Sequence, residues 1–290
     1  MPEGIEVKIL TECLDTIITG KELTSIKFIS GRYIKHGVPE GFKNFEKNLP
    51  LKVLSVGCKG KFIYFTLENG WYIFNTLGLT GSWEFKEDTH TRAILQFNGF
   101  PIYFSDMRNF GTIKFVNDTA ILQKKINTLG LDIFNPSEFN EKNFIEKLDK
   151  FPKKTLPEVL MDQKLFSGIG NYIKSECLYR AKLNPHRIVS SLSLSEKKEL
   201  FDKIKYVVYT AYFGGNFYAV ADVTGIKIEK SKENQCKKRS LTPKYLGIKK
   251  PTKDYEFQVY QMNKDPHGNP IVSETTKDKR TTHWVPAIQK

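Results

Sequence analysis

No run of apolar residues in this chain is long enough to span a bilayer, and no secretory signal is visible. A membrane role is therefore not expected. Cysteine is scarce: Cys13, Cys58, Cys177 and Cys236 are four in 290 residues, and no two stand at C-x-x-C spacing. That argues against a disulfide scaffold and against a cysteine-only zinc site. It points to a reducing compartment, nuclear or cytoplasmic, rather than to secretion. Acidic residues are outnumbered, 32 against 45 Lys and Arg, which leaves a formal charge of +13. Such an excess favours a polyanionic partner over an acidic small molecule, the alternative being a merely basic soluble protein. Internal repeats are absent too.

What is present is enough for a core: 40% of the residues are apolar, and the length suits two modest domains. Ile5, Ile9, Leu10, Cys13, Leu14, Ile17 and Ile18 recur at helical spacing before Gly20, so residues from about 3 to 19 read as an amphipathic helix. Glu6 flanks the apolar stripe of that helix and should point partly inward. The period then changes to two. ELTSIKFIS, LKVLSVGCKGKFIYFTL, GWYIFNTLGL, TRAILQF and FPIYFSD alternate, with Asn69-Gly70 and Asn98-Gly99 as hairpin turns. The fold class expected is α+β: an antiparallel β-sandwich with a flanking N-terminal helix over 1–117, a linker over 118–136, a helical domain over 137–254, and a terminal hairpin over 255–290. Residues 227–253 are lysine-rich and loop-like, and Lys237-Lys238-Arg239 is either solvated charge or part of a nuclear-localisation signal.

Two short stretches carry chemistry. The first is PEGIE at residues 2–6. Proline and acids in a first turn are ordinary helix-starting chemistry. Yet a small second residue also permits removal of Met1, which leaves the secondary amine of Pro2 as the N-terminus, with a pKa near ~8. Such an amine can form an iminium with a sugar aldehyde at neutral pH. The second is MDQKLFSGIGNYIKSECLYRA, from Met161 to Ala181. Here a helix is expected to end at Phe166, Gly168 and Gly170 to make a tight turn with open N–H groups, and Asn171 to cap the next helix. Together with that helix's positive end this reads as an anion grip, or as a helix–turn–helix with no ligand.

The two motifs, in this order, resemble those of the Fpg/Nei DNA glycosylases, and the resemblance runs over nearly the whole chain. It implies Pro2 as the nucleophile that attacks C1′, Glu3 as the acid/base of ring opening and elimination, and Glu6 as a supporting carboxylate. It places Lys61, in KGKFIYF, at a lesion phosphate, with Gly168, Gly170, Asn171 and Tyr172 forming the phosphate-binding turn. Leu79 in NTLGLTG, and Arg108 and Phe110 in DMRNFG, match the loops that fill the gap left by an everted base; core packing is the alternative.

The tail departs from the bacterial pattern of two C-x-x-C pairs. Residues 255–290 contain no cysteine and only His267 and His283, too few to ligate zinc. Arg280 in DKRTTHW matches the finger arginine, and a hairpin packed by Trp284 and Val285 would hold it without metal. This is similar to the zincless finger of endonuclease VIII-like 1 and of some large-DNA-virus relatives. The segment after Gly214-Gly215 departs from the 8-oxoguanine type. The resemblance thus implies a bifunctional glycosylase/AP lyase of base excision repair. Expected targets are oxidised pyrimidines and hydantoins, released through a Pro2 Schiff base and β,δ-elimination. No metal or organic cofactor is implied. The expected partner is duplex DNA with oxidised bases or abasic sites, with single-stranded or bubble DNA as a further one, and the protein is expected to be monomeric. A damaged-DNA-binding protein that has lost the chemistry is the alternative; an RNA-binding module fits the strand-rich first half less well.

Overall fold

The computed structural model describes residues 2–214, 239–247 and 254–290. The Gly215 helix break, most of the lysine-rich stretch, the segment after Gly214-Gly215 and Lys237-Lys238 lie outside the described residues. Contacts divide the chain into two compact units. One holds Pro2, 6–127 and 239–240; the other holds 3–5, 128–214, 241–247 and 254–290.

The first unit is the expected antiparallel sandwich. Helix α1 (Gly4–Ile18) ends where Gly20 takes a φ of 80°. Its Val7, Leu10, Cys13, Leu14, Ile17 and Ile18 are buried in the core. Eight strands follow: β1 (Glu22–Phe28), β2 (Leu51–Lys59), β3 (Phe62–Leu67), β4 (Tyr72–Thr76), β5 (Gly81–Glu84), β6 (Thr91–Phe97), β7 (Phe100–Asp106) and β8 (Thr112–Val116). Their lateral order is β5-β7-β6-β1-β2-β3-β4-β8, open at both ends. The Asn98-Gly99 turn pairs Phe97 with Phe100, as its sequence requires. Between the layers Trp83 packs on Phe65 and Phe104, and its indole N–H donates to Asn75 Oδ1 at 3.0 Å. A tryptophan buried on every side needs such an acceptor.

Part of the segment expected as linker is ordered. Residues Thr119–Asn127 form a helix, and Leu131–Asp132 pairs in parallel with Phe166–Ser167. Phe166 thus lies in a short strand rather than at a helix end. That helix is shorter, α2 (Leu156–Leu160), and it starts on a capping box in which Glu158 accepts from the Thr155 backbone N–H at 2.8 Å. The second unit also holds a helix over Glu141–Asp149, a short one over Pro243–Leu246, α3 (Asn171–Arg180), α4 (Leu194–Gly214), and the hairpin β9 (Val272–Thr275) and β10 (Thr281–Trp284). Phe139, Phe144, Phe166 and Phe201 form one aromatic cluster of its core.

The segment VYQM, read as part of the terminal hairpin, is not a strand. Its backbone is held instead by one carboxylate. Buried Glu176 of α3 accepts from the N–H groups of Gln258, Val259 and Tyr260 at 2.9, 2.9 and 3.0 Å. Burial pushes the Glu176 carboxyl up, and the three amides and Arg180 oppose it. Glu176→Ala strands those donors at about 1–3 kcal/mol for a buried one. We expect urea denaturation to show a loss of about 3 kcal/mol; a loss within about 0.5 kcal/mol, the range of an ordinary surface substitution, contradicts this account.

Candidate active site and nucleic-acid contacts

The turn before α3 is shaped by three glycines and one glutamine. Gly168 has a φ of 107°, a conformation that side chains disfavour. Its N–H is not open: it donates to Gln163 Oε1 at 3.1 Å, while Gln163 Nε2 donates to the Ile169 carbonyl at 2.8 Å. The Gly168 carbonyl accepts from Gly4 N–H at 2.9 Å. A Cβ on Gly4 would stand 2.7 Å from Gly168 Cα, so neither backbone tolerates a side chain on Gly4. A Cβ on Gly170 would overlap the Glu3 carboxyl group.

These clearances seat Glu3. Its carboxylate is 1% exposed, and it accepts from Tyr172 N–H at 2.9 Å and from Ile173 N–H at 3.3 Å. An anion therefore does sit at the positive end of this helix, but it is the protein's own. Gly170 is the N-cap residue and Asn171 the first helical one, so the expected Asn171 cap is corrected: the capping acceptor is Glu3. Of the N–H groups expected to be open at Gly168 and Gly170, that of Gly168 is corrected, because Gln163 takes its hydrogen; the Tyr172 N–H in the helix's first turn is taken by Glu3. Tyr172 is buried, with its ring against Phe257 and Tyr260. Burial pushes the Tyr260 phenol up, and the Glu3 charge adds to it.

Asn171 reaches the hairpin. Its Nδ2 donates to the Thr281 carbonyl at 2.7 Å, next to exposed Arg280. Lys174, fully buried, meets Asp278 at 2.8 Å. Burial pushes its ammonium down, and Asp278 and Glu3 hold it up. Val285 is buried with Tyr179 and Val259, whereas Trp284 is half-buried and donates to Glu274 at 2.6 Å. Among the described residues, no cluster of three or more His, Cys, Asp or Glu stands ready for a metal.

In the sandwich unit, Pro2 is half-buried and Glu6 is buried. Lys61 was expected on a strand; it lies in the two-residue turn Gly60-Lys61, where Gly60 takes a φ of 56°. Leu79 is half-buried in the turn between β4 and β5, and Arg108 is exposed beyond β7 beside Phe110, which is 58% exposed. One buried carboxylate ties the two loops. Asp106 accepts from the N–H groups of Arg108 and Gly111 at 3.2 and 2.7 Å and from the Thr80 hydroxyl at 2.5 Å. Arg92 holds the same loop from behind, donating to the Asp106 carbonyl at 2.8 Å. Gln163, Lys174, Arg92 and Asp106, which hold these segments in place, carry no signal of that role in the sequence.

Residues 1–113 match the formamidopyrimidine-DNA glycosylase N-terminal domain, 129–218 its H2TH domain and 247–290 its C-terminal domain. A formamidopyrimidine-DNA glycosylase of Thermus thermophilus is 31% identical over 216 residues, 73% of this chain and 76% of the relative. One from Mycoplasma mobile is 31% identical over 204 residues, 68% and 73%. The chain belongs to the formamidopyrimidine-DNA glycosylase family. The fold agrees. Lactococcus lactis Fpg bound to DNA with an oxidised pyrimidine superposes with a TM-score of 0.76 at 23% identity, covering both chains fully. The same enzyme with abasic-site DNA gives 0.77 at 23% identity over 99% of each chain. This chain is thus an Fpg-like DNA glycosylase of base excision repair.

The seat of Glu3 yields a sharp expectation. In Gly170→Ala the new methyl group displaces the flexible end of Glu3 and leaves the surrounding backbone in place. If Glu3 is the acid–base group proposed below, a folded protein is expected whose single-turnover glycosylase rate falls about 100-fold, the scale of losing such a group. A Gly170→Ala variant with wild-type rate contradicts the packing argument.

Proposed function

We propose that this glycosylase is bifunctional and works through the N-terminal amine of Pro2, exposed on removal of Met1. The observation that carries the proposal is the Glu3 carboxylate, buried on two α3 amides and adjacent to Pro2 in the chain. Pro2 nitrogen attacks C1′, the base leaves, and the opened sugar is held as an iminium. Glu3 moves protons through ring opening, then β-elimination and δ-elimination expel the sugar and leave phosphate ends. Glu6, buried near the start of α1, supports the amine.

Phosphate contacts come from each unit in turn. Lys61 lies half-buried in its turn, while Asn171 and Arg280 stand at a shared tie, since Asn171 bonds the residue next to Arg280. Leu79, Arg108 and Phe110 fill the space left by the everted base, on loops that Asp106 joins. The finger is of the zincless, endonuclease VIII-like type. In support, its turn closes on side-chain and backbone bonds: Thr276 N–H donates to the Arg280 carbonyl at 3.1 Å, and the Thr276 and Thr282 hydroxyls meet at 2.6 Å. Oxidised pyrimidines and hydantoins are the preferred bases, in duplex and in bubble or single-stranded DNA, and the protein acts as a monomer.

Single-turnover assays on a lesion panel test this reading. We expect release of oxidised pyrimidines and hydantoins ahead of 8-oxoguanine, and incision of an abasic-site duplex that leaves phosphate on both ends. Tight binding to the same duplexes with no base release and no incision would mean that the fold binds damage without processing it.

A further inference from the structure

Three polar ties fasten the finger hairpin to one face of α3. Asn171 Nδ2 donates to the Thr281 carbonyl at 2.7 Å, Lys174 Nζ to Asp278 Oδ2 at 2.8 Å, and His283 N–H to Ser175 Oγ at 3.3 Å. Positions 171, 174 and 175 are i, i+3 and i+4, so a single helical face carries all three. The middle tie is unlike the others. Both its partners are charged, and their side chains are 0% and 3% exposed.

Asp278 works with both oxygens. Oδ2 takes the lysine, and Oδ1 accepts from the Thr276 hydroxyl at 2.5 Å and lies 3.4 Å from Arg280 N. Thr276 in turn donates its N–H to the Arg280 carbonyl at 3.1 Å, and Lys279 closes the turn by donating to the Thr276 carbonyl at 2.8 Å. The Lys279 backbone sits at a φ of 61°, a conformation held only where surrounding bonds fix it. The carboxylate that organises this turn is therefore anchored to the helix by one buried cation, and the turn ends at exposed Arg280.

A buried ion pair is a poor source of net stability, since apolar residues of similar volume often serve as well. What it supplies is direction: an ammonium and a carboxylate at hydrogen-bond distance fix the turn's position along α3. We propose that Lys174 is a positioning residue for DNA recognition: by clamping Asp278 it sets the turn that presents Arg280 to a backbone phosphate. The clamp does the work that four ligands and a zinc ion do in a metal finger. This rests on the phosphate-contact role of Arg280 proposed above.

The test is the salt dependence of binding to a duplex carrying a stable abasic-site analogue. Each lost phosphate contact lowers the slope of log K against log salt by about 0.9. The variants are Arg280→Ala, the neutral pair Lys174→Met/Asp278→Asn, the triple substitution, and Lys174→Arg. Asp278→Asn keeps an acceptor for the turn, and neutralising both partners avoids a stranded buried charge. Thermal melts identify the folded variants. Arg280→Ala should lose about 0.9 of slope, and the neutral pair about as much. The triple variant should lose no more than either, and Lys174→Arg should keep most of it. A folded neutral pair with wild-type slope, beside a reduced slope in Arg280→Ala, overturns the positioning role alone. A wild-type slope in Arg280→Ala itself overturns the phosphate-contact role, and the inference falls with it. If the neutral pair does not fold, Asp278→Glu decides, because it keeps both charges and moves only the carboxylate: a folded Asp278→Glu with the Arg280→Ala slope supports positioning, and one with the wild-type slope overturns it.

Discussion

The contact on which the rest depends is the carboxylate of Glu3 on the first turn of α3. A helix N-terminus leaves amides without intrahelical partners, and here two of them are satisfied by a residue some 170 positions away in the chain. Nothing larger than glycine at 4 or 170 leaves room for that approach. The GIGN sequence is therefore a space constraint before it is a binding motif. It brings the N-terminal residues to a fixed place, and chemistry that starts at an N-terminal amine needs its acid–base partner held just so. A flexible N-terminus would lose that geometry to chain entropy.

A second consequence concerns charge. The pole of the helix dipole is already occupied by Glu3, so foreign phosphates must be met by side chains. On the proposed function, that burden falls on Lys61 in its turn, Asn171 at the start of α3 and Arg280 on the hairpin. The formal +13 of the chain favours long-range attraction to a polyanion, whereas register needs localised contacts of this kind. Buried carboxylates do the complementary work of holding loops. Asp106, Glu176 and Asp278 each gather several donors, and each anchors a segment that regular secondary structure does not reach.

Much of the fold was legible because its signals are local. The α1 stripe, the alternating strands, the Asn98-Gly99 hairpin and the long helix over 194–214 follow from period and turn chemistry. What misled was non-local. Two glycines around a helix start look the same whether they expose amides or admit a distant side chain, and only the tertiary contact with Glu3 decides. Asn171 has the composition of a cap, yet it lies one residue inside the helix because Glu3 performs the capping. Lys174 was invisible for a related reason: a lysine in a helix reads as solvent-facing until its partner, Asp278, is found 104 positions on. Phe166 was read as a helix end because an apolar residue before a glycine turn has no signature of a two-residue parallel strand.

The central claim is that the amine seated beside Glu3 is the nucleophile. It is tested most directly by borohydride reduction of the protein on an abasic-site duplex, followed by mass spectrometry of the cross-linked peptide. The account predicts one adduct, on the secondary nitrogen of Pro2 in chains lacking Met1. An adduct on the side chain of an internal lysine such as Lys61, with Pro2 unmodified, contradicts it.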